Sequence, residues 1–160
     1  MFEEILGLPL HPLAVHGAVV LVPLLALASL AYSLVPRLRS RVGWVAVLLS
    51  VAAPLAAVTA KLSGEAFQQR RGLPLAGELA DHRNLGTITM WLTIGLGVLT
   101  LLLVWVRRRP GGSAVQAWLT GGLTVLVALA AGATAVYVVR TGDLGSRIVW
   151  EPIWAPVTGG

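Results

Sequence analysis

At 160 residues, with 56% hydrophobic and 12% charged side chains and a mean hydropathy of +0.81, the chain has the length of one domain and is far too apolar for a soluble globular protein. Its formal charge of +5 does not point to nucleic acid, because the twelve basic residues sit between apolar blocks instead of gathering on one surface. The lack of cysteine excludes disulfides, thiolate metal sites and iron–sulfur ligation within the chain.

The N-terminus carries Glu3 and Glu4 where a signal peptide has bases, so the first apolar block is expected to be retained as a helix. That block predicts a membrane span over about residues 12–35, with Pro12 as its first helical residue and Pro36 ending it. Arg37, Arg39 and Arg41 make a tight basic turn. A second span over about residues 42–60 follows, in which Pro54 should kink the helix and release the Ser50 carbonyl. Residues 61–82 mix charges of both signs with Gly72, Pro74 and Gly77, and read as one longer polar loop that turns helical again near Glu78. The third span covers about residues 85–106, a basic turn at Arg107 to Arg109 follows, and the fourth span covers about residues 114–139. Thr141 to Gly145 reads as a glycine-rich turn, and residues 140–160 as an interfacial tail with Trp150 and Trp154.

The predicted fold is therefore all-α: a single integral membrane domain, a four-helix bundle with short loops apart from the one between helices 2 and 3. Helices in lipid associate through small residues that let backbones approach. Such seams run through Gly43, Ala46, Ser50, Ala53, Ala57, Ala60 and Gly64 on helix 2. Helix 3 has Gly86, Thr89, Thr93 and Gly97, and helix 4 has Gly121, Thr124, Ala128, Ala131 and Ala135. Lys and Arg count equally on the two sides, but the first helix has no base before it and three after, so both termini are expected outside the cytoplasm of a multi-pass cell-membrane protein. Trp44, Trp105 and Trp118 would then form a belt at the cytoplasmic interface.

All three histidines fall at the membrane face opposite the Arg-rich turns, with Lys61, Glu65, Glu78, Asp81, Arg140 and Asp143. His82 continues the helix 3 seam, and His16 lies about one turn inside helix 1, so the two rings are expected to face each other. Neutral imidazoles so placed suit axial ligation of a b-type haem by His16 and His82, with His11 the weaker candidate. A divalent metal held by His16 and His82 with Glu65 or Glu78 is the other ligand reading, with Glu78 one turn from His82 as a possible orienting carboxylate. Two functions stay open: a membrane redox or electron-transfer protein working with a redox partner or a second copy in the bilayer, and a non-enzymatic structural or assembly subunit whose polar groups tie helix ends together. Transport by a lone bundle without a mid-membrane carboxylate or paired broken helices is disfavoured, and no nucleotide, kinase, protease or hydrolase motif is present.

Leu10-His11-Pro12-Leu13-Ala14-Val15-His16, His82-Arg83-Asn84-Leu85-Gly86 and Thr141-Gly142-Asp143-Leu144-Gly145-Ser146 together resemble a family of small bacterial membrane proteins, domain of unknown function 2231. The resemblance covers nearly the whole chain and implies four spans and a one-sided histidine cluster, but no settled activity. Some relatives occur beside iron–sulfur redox domains, which favours a redox role by analogy. The family's second histidine is often followed by Phe and Pro, whereas His16 is followed by Gly17 and Ala18.

Overall fold

The computed structural model describes residues 4–5 and 8–154. Four helices account for nearly all of them: α1 (Leu10–Leu34), α2 (Arg39–Arg71), α3 (Gly77–Arg108) and α4 (Ala114–Trp154). A two-residue antiparallel ladder precedes α1, pairing Glu4 with Pro9 and Ile5 with Leu8, and a 3-10 turn at Pro36–Leu38 joins α1 to α2. All four helices contain windows long and apolar enough to cross a bilayer.

Alternating up and down, the helices pack α1 on α2, α2 on α3, α3 on α4 and α4 back on α1, which leaves α1 and α3 diagonal. Small and medium side chains fill the centre: Val22 and Leu25 from α1, Ala46 and Ala53 from α2, Leu96 and Leu103 from α3, Val127 and Ala131 from α4. Buried hydroxyls are satisfied within the bundle, as a lipid-surrounded structure requires. Ser29 bonds Thr100 across α1 and α3 at 2.9 Å, while Ser50, Thr93 and Thr134 each bond the carbonyl four residues back in their own helix. Large apolar side chains including Trp44, Trp91, Trp105 and Trp118 point outward, to where lipid would lie.

The seams on α2 and α3 pack as expected: Gly43, Ala46, Ser50, Ala53 and Ala57 are buried, as are Thr89, Thr93 and Gly97. Pro54 cannot donate to Ser50 O, and that carbonyl faces Gly97, where a Cβ would stand 2.7 Å from it. The α4 seam is displaced. Gly121 is exposed, and the buried line runs through Val127, Ala131, Thr134 and Val138, so only Ala131 of the expected set is fully enclosed.

Two segments read as non-helical are helix. α2 continues past residue 60 to Arg71, because nothing from Lys61 to Arg71 breaks a helix and Lys61 pairs with Glu65 at an i,i+4 spacing. It stops at Gly72, whose left-handed backbone (φ 61) lets its own N–H and that of Leu73 cap the last turn, so the polar loop is only residues 72–76. Thr141 to Gly145 is likewise inside α4, which runs to Trp154 with Asp143, Arg147 and Glu151 paired along one face. At 1.5 Å per residue, α2 and α3 are each roughly 50 Å long and α4 roughly 60 Å, against about 30 Å of hydrocarbon. Since the other end closes with short turns, the surplus length stands at the histidine end.

Candidate functional site

His11 is the second residue of α1, and its ring turns toward α2. Its Nδ1 lies 3.0 Å from Ala60 O. A carbonyl only accepts, so Nδ1 carries the proton and Nε2 keeps a lone pair. The Ser63 hydroxyl also donates to Ala60 O at 3.1 Å, and the Phe67 ring stacks on the imidazole at a centroid distance of 6.3 Å. The imidazole lies on Gly64: a Cβ there would come within 2.9 Å of its Cε1 and 3.1 Å of its Nδ1. Gly64, the last member of the helix 2 seam, admits the His11 ring.

His82 repeats this arrangement one hairpin later. It leaves α3 toward α4 and rests on Gly145, where a Cβ would come within 2.7 Å of its Cε1 and 3.3 Å of its Nδ1. The Thr141 backbone beside it sits four residues before Gly145, as Ala60 sits four before Gly64. His82 Nδ1 is buried beside the Thr141 backbone but makes no well-formed hydrogen bond among the described residues, an arrangement that native interiors rarely tolerate without a reason. Each helical hairpin thus supplies one imidazole on a glycine of its second helix, both at the same end of the bundle.

The expected face-to-face pair of His16 and His82 is not formed. His16 is exposed and bonds back to Pro12 O on its own helix. Five residues correspond to about 140° around a helix, so once His11 faces α2, His16 must face elsewhere. The carboxylates expected to assist are also elsewhere. Glu65 Oε1 accepts from Lys61 Nζ at 2.7 Å and from Arg83 Nη2 and Nε at 2.8 and 3.1 Å, tying α2 to α3. Glu78 is exposed and forms no hydrogen bond to His82. Among the described residues no three His, Asp or Glu side chains are grouped as a metal ion requires. A Thr89–Thr141 hydrogen bond of 2.8 Å joins α3 to α4 just inside His82.

At the other end, two arginines do more than mark the loops. Arg39 donates to Tyr32 O and Ser33 O at 3.2 and 3.3 Å, and Arg107 reaches the same carbonyls at 2.9 and 3.2 Å and Thr124 Oγ1 at 2.9 Å. These carbonyls belong to the last turn of α1, where no helical N–H remains for them and a cation suits the helix dipole. Gln116 similarly closes α3 through Val106 O and Arg109 O.

No curated protein and no solved structure matches the chain. Residues 7–153, a stretch holding all four membrane helices and all three histidines, match the family described as predicted membrane proteins, DUF2231, and the chain belongs to that family.

Proposed function

We propose that the protein is a small membrane redox protein in which His11 and His82 would hold a b-type haem. The observation that carries this reading is the pair of matching histidine seats. A histidine serving only as a helix-end hydrogen bonder has no need of a glycine under its ring. Here both helices that face an imidazole carry glycine where any Cβ would collide with it. The buried His82 Nδ1, without a well-formed hydrogen bond among the described residues, and the Nε2 that the His11 tautomer leaves as an acceptor fit the same reading.

Two imidazoles suit haem better than a bare ion, because the porphyrin supplies the four remaining iron ligands, whereas a zinc-type site needs three or four from the protein. When bound, such a haem exchanges single electrons. The chain's part would be to fix the ligands: Ala60 O holds the His11 tautomer and raises its basicity, and Phe67 covers one face of the ring. Glu65, neutralised by Lys61 and Arg83, would hold α2 against α3 beside the ligands. The bases that follow α1 support a topology with this end outside the cytoplasm, facing a redox partner in the membrane or a second copy. The test is the absorption spectrum of protein made with ample haem: a Soret band in the natural chain and in His16→Ala, lost in His11→Ala and in His82→Ala.

A second reading, that of a structural subunit, is favoured by the Glu65 bonds to two cations and the Thr89–Thr141 bond, which tie three helices at this end. Under it the natural chain shows no Soret band, and each histidine replacement lowers stability independently by about 1 kcal/mol.

A further inference from the structure

The Arg-rich end carries a charge that its own bonds do not answer. Residues 35–44 and 105–118 contain six arginines and no lysine or acid. Arg39 and Arg107 are drawn to the same two carbonyls of α1, so the two basic turns are pinned together and their like charges lie within electrostatic reach. Arg109 lies flat over Trp105 at 3.5 Å. Arg37, Arg41 and Arg108 are exposed and have no ion-pair or hydrogen-bond partner among the described residues. Arg107 Nε is buried and unbonded as well. A cluster of this kind is stabilised by an anion, and the guanidinium fork matches phosphate oxygens.

The surface below the cluster is suited to hydrocarbon. A shallow, open apolar depression runs down α4 past Val115, Trp118, Leu119, Gly122 and Leu126. Nothing approaches within 4 Å of where a Gly122 Cβ would stand, so the notch is open to the surroundings. A second apolar strip along α3, at Val98, Leu102 and Trp105, rises to the same turn. Charge above and a greasy furrow below match the two halves of one lipid.

We infer that the end of the bundle formed by the two arginine turns binds an anionic phospholipid, its phosphate held by Arg37, Arg41 and Arg108 and an acyl chain lying in the Gly122 groove. This site is independent of the histidine end and of which side of the membrane it faces.

The test uses the full chain purified in neutral detergent, with phosphatidylglycerol or phosphatidylcholine added, read by native mass spectrometry and thermal melting. Phosphatidylglycerol should remain bound in a fixed ratio and raise the melting temperature, and phosphatidylcholine should do neither. The combined variant Arg37→Gln, Arg41→Gln, Arg108→Gln should melt as the natural chain does without lipid, yet hold phosphatidylglycerol weaker by on the order of tenfold or more. Gly122→Leu keeps every arginine and fills the groove; it too should weaken retention, and it serves as the deciding variant if the triple replacement fails to fold. Arg140→Gln, at the opposite end, should change nothing. Equal retention of the two lipids, or unchanged phosphatidylglycerol binding in the folded triple variant or in Gly122→Leu, overturns the inference. So does inorganic phosphate giving the same stabilisation and displacing the lipid, which would make this a site for free phosphate.

Discussion

Replacing Gly97 by alanine and, separately, Gly95 by alanine sets two identical chemical changes two residues apart on α3. At Gly97 the new methyl would lie 2.7 Å from Ser50 O and 3.3 Å from Pro54 Cγ, whereas at Gly95 it would meet nothing within 4 Å. The obstacle at Gly97 is backbone carbonyl and a proline ring, neither of which can swing aside, so α2 and α3 must separate by roughly 0.7 Å to restore ordinary contact. Overpacking of this kind costs about 1–3 kcal/mol. Both variants also gain helix propensity, up to about 1 kcal/mol in water, but that gain is common to the two and cancels in their difference. Gly95→Ala should therefore be neutral or stabilising, and Gly97→Ala should be the less stable of the pair by about 1–3 kcal/mol. Reversible denaturant unfolding in one detergent, followed by helical circular dichroism, gives the difference directly. Equal stabilities would show that Gly97 and Ser50 do not touch, and the packing of α2 on α3 described above would be wrong.

Gly64→Ala should push the His11 ring off Ala60 O and cost about 1 kcal/mol for the lost hydrogen bond, while Gly145→Ala should displace His82 from the Thr141 backbone, where the weaker contact leaves less to lose; thermal melts separate the two. Under the ligand reading, both alanine variants should also lower haem affinity. Glu65→Gln removes the charge shared by Lys61 and Arg83 at a partly solvated site, and should cost no more than about 1 kcal/mol, with the loss shrinking as salt is raised in the unfolding buffer. Because the chain has no cysteine, single cysteines at Ser40 and Gly72 report topology cleanly. A membrane-impermeant thiol reagent on intact cells should label the second and spare the first, and the reverse pattern would invert the orientation.

The four spans were legible because blocks of about twenty apolar residues have few alternatives. The seams of α2 and α3 were legible because small residues recur there in steps of three and four. α4 misled because its buried line uses Val127 and Val138 as well as small residues, while Gly121 and Gly122 are exposed. Polarity was mistaken for irregularity at residues 61–71 and 141–145: these stretches are too polar to sit in hydrocarbon, yet nothing in them ends a helix. All three histidines lie at one end of the bundle, but the sequence did not show which ring turns inward. α1 is apolar nearly all round, so no period in its sequence sets its rotation, and the choice between His11 and His16 is made by the glycine across from it on α2. The seat of His82 was hidden for the same reason, since Gly145 reads as a turn residue until α4 is seen to pass beneath the ring. Arg39 and Arg107 were read as markers of orientation, and no sequence signal showed that they also cap α1.

The reading of His11 and His82 as one ligand site is tested most directly by titrating haem into the purified protein and into four variants: His11→Ala, His82→Ala, the double replacement, and His16→Ala. Residues acting as one unit are not additive, so either inward histidine alone should remove most of the Soret band, the double variant should add little, and His16→Ala should bind as the natural chain does. A natural chain that takes up no haem, or one whose Soret band depends on His16 and not on His11, would contradict it.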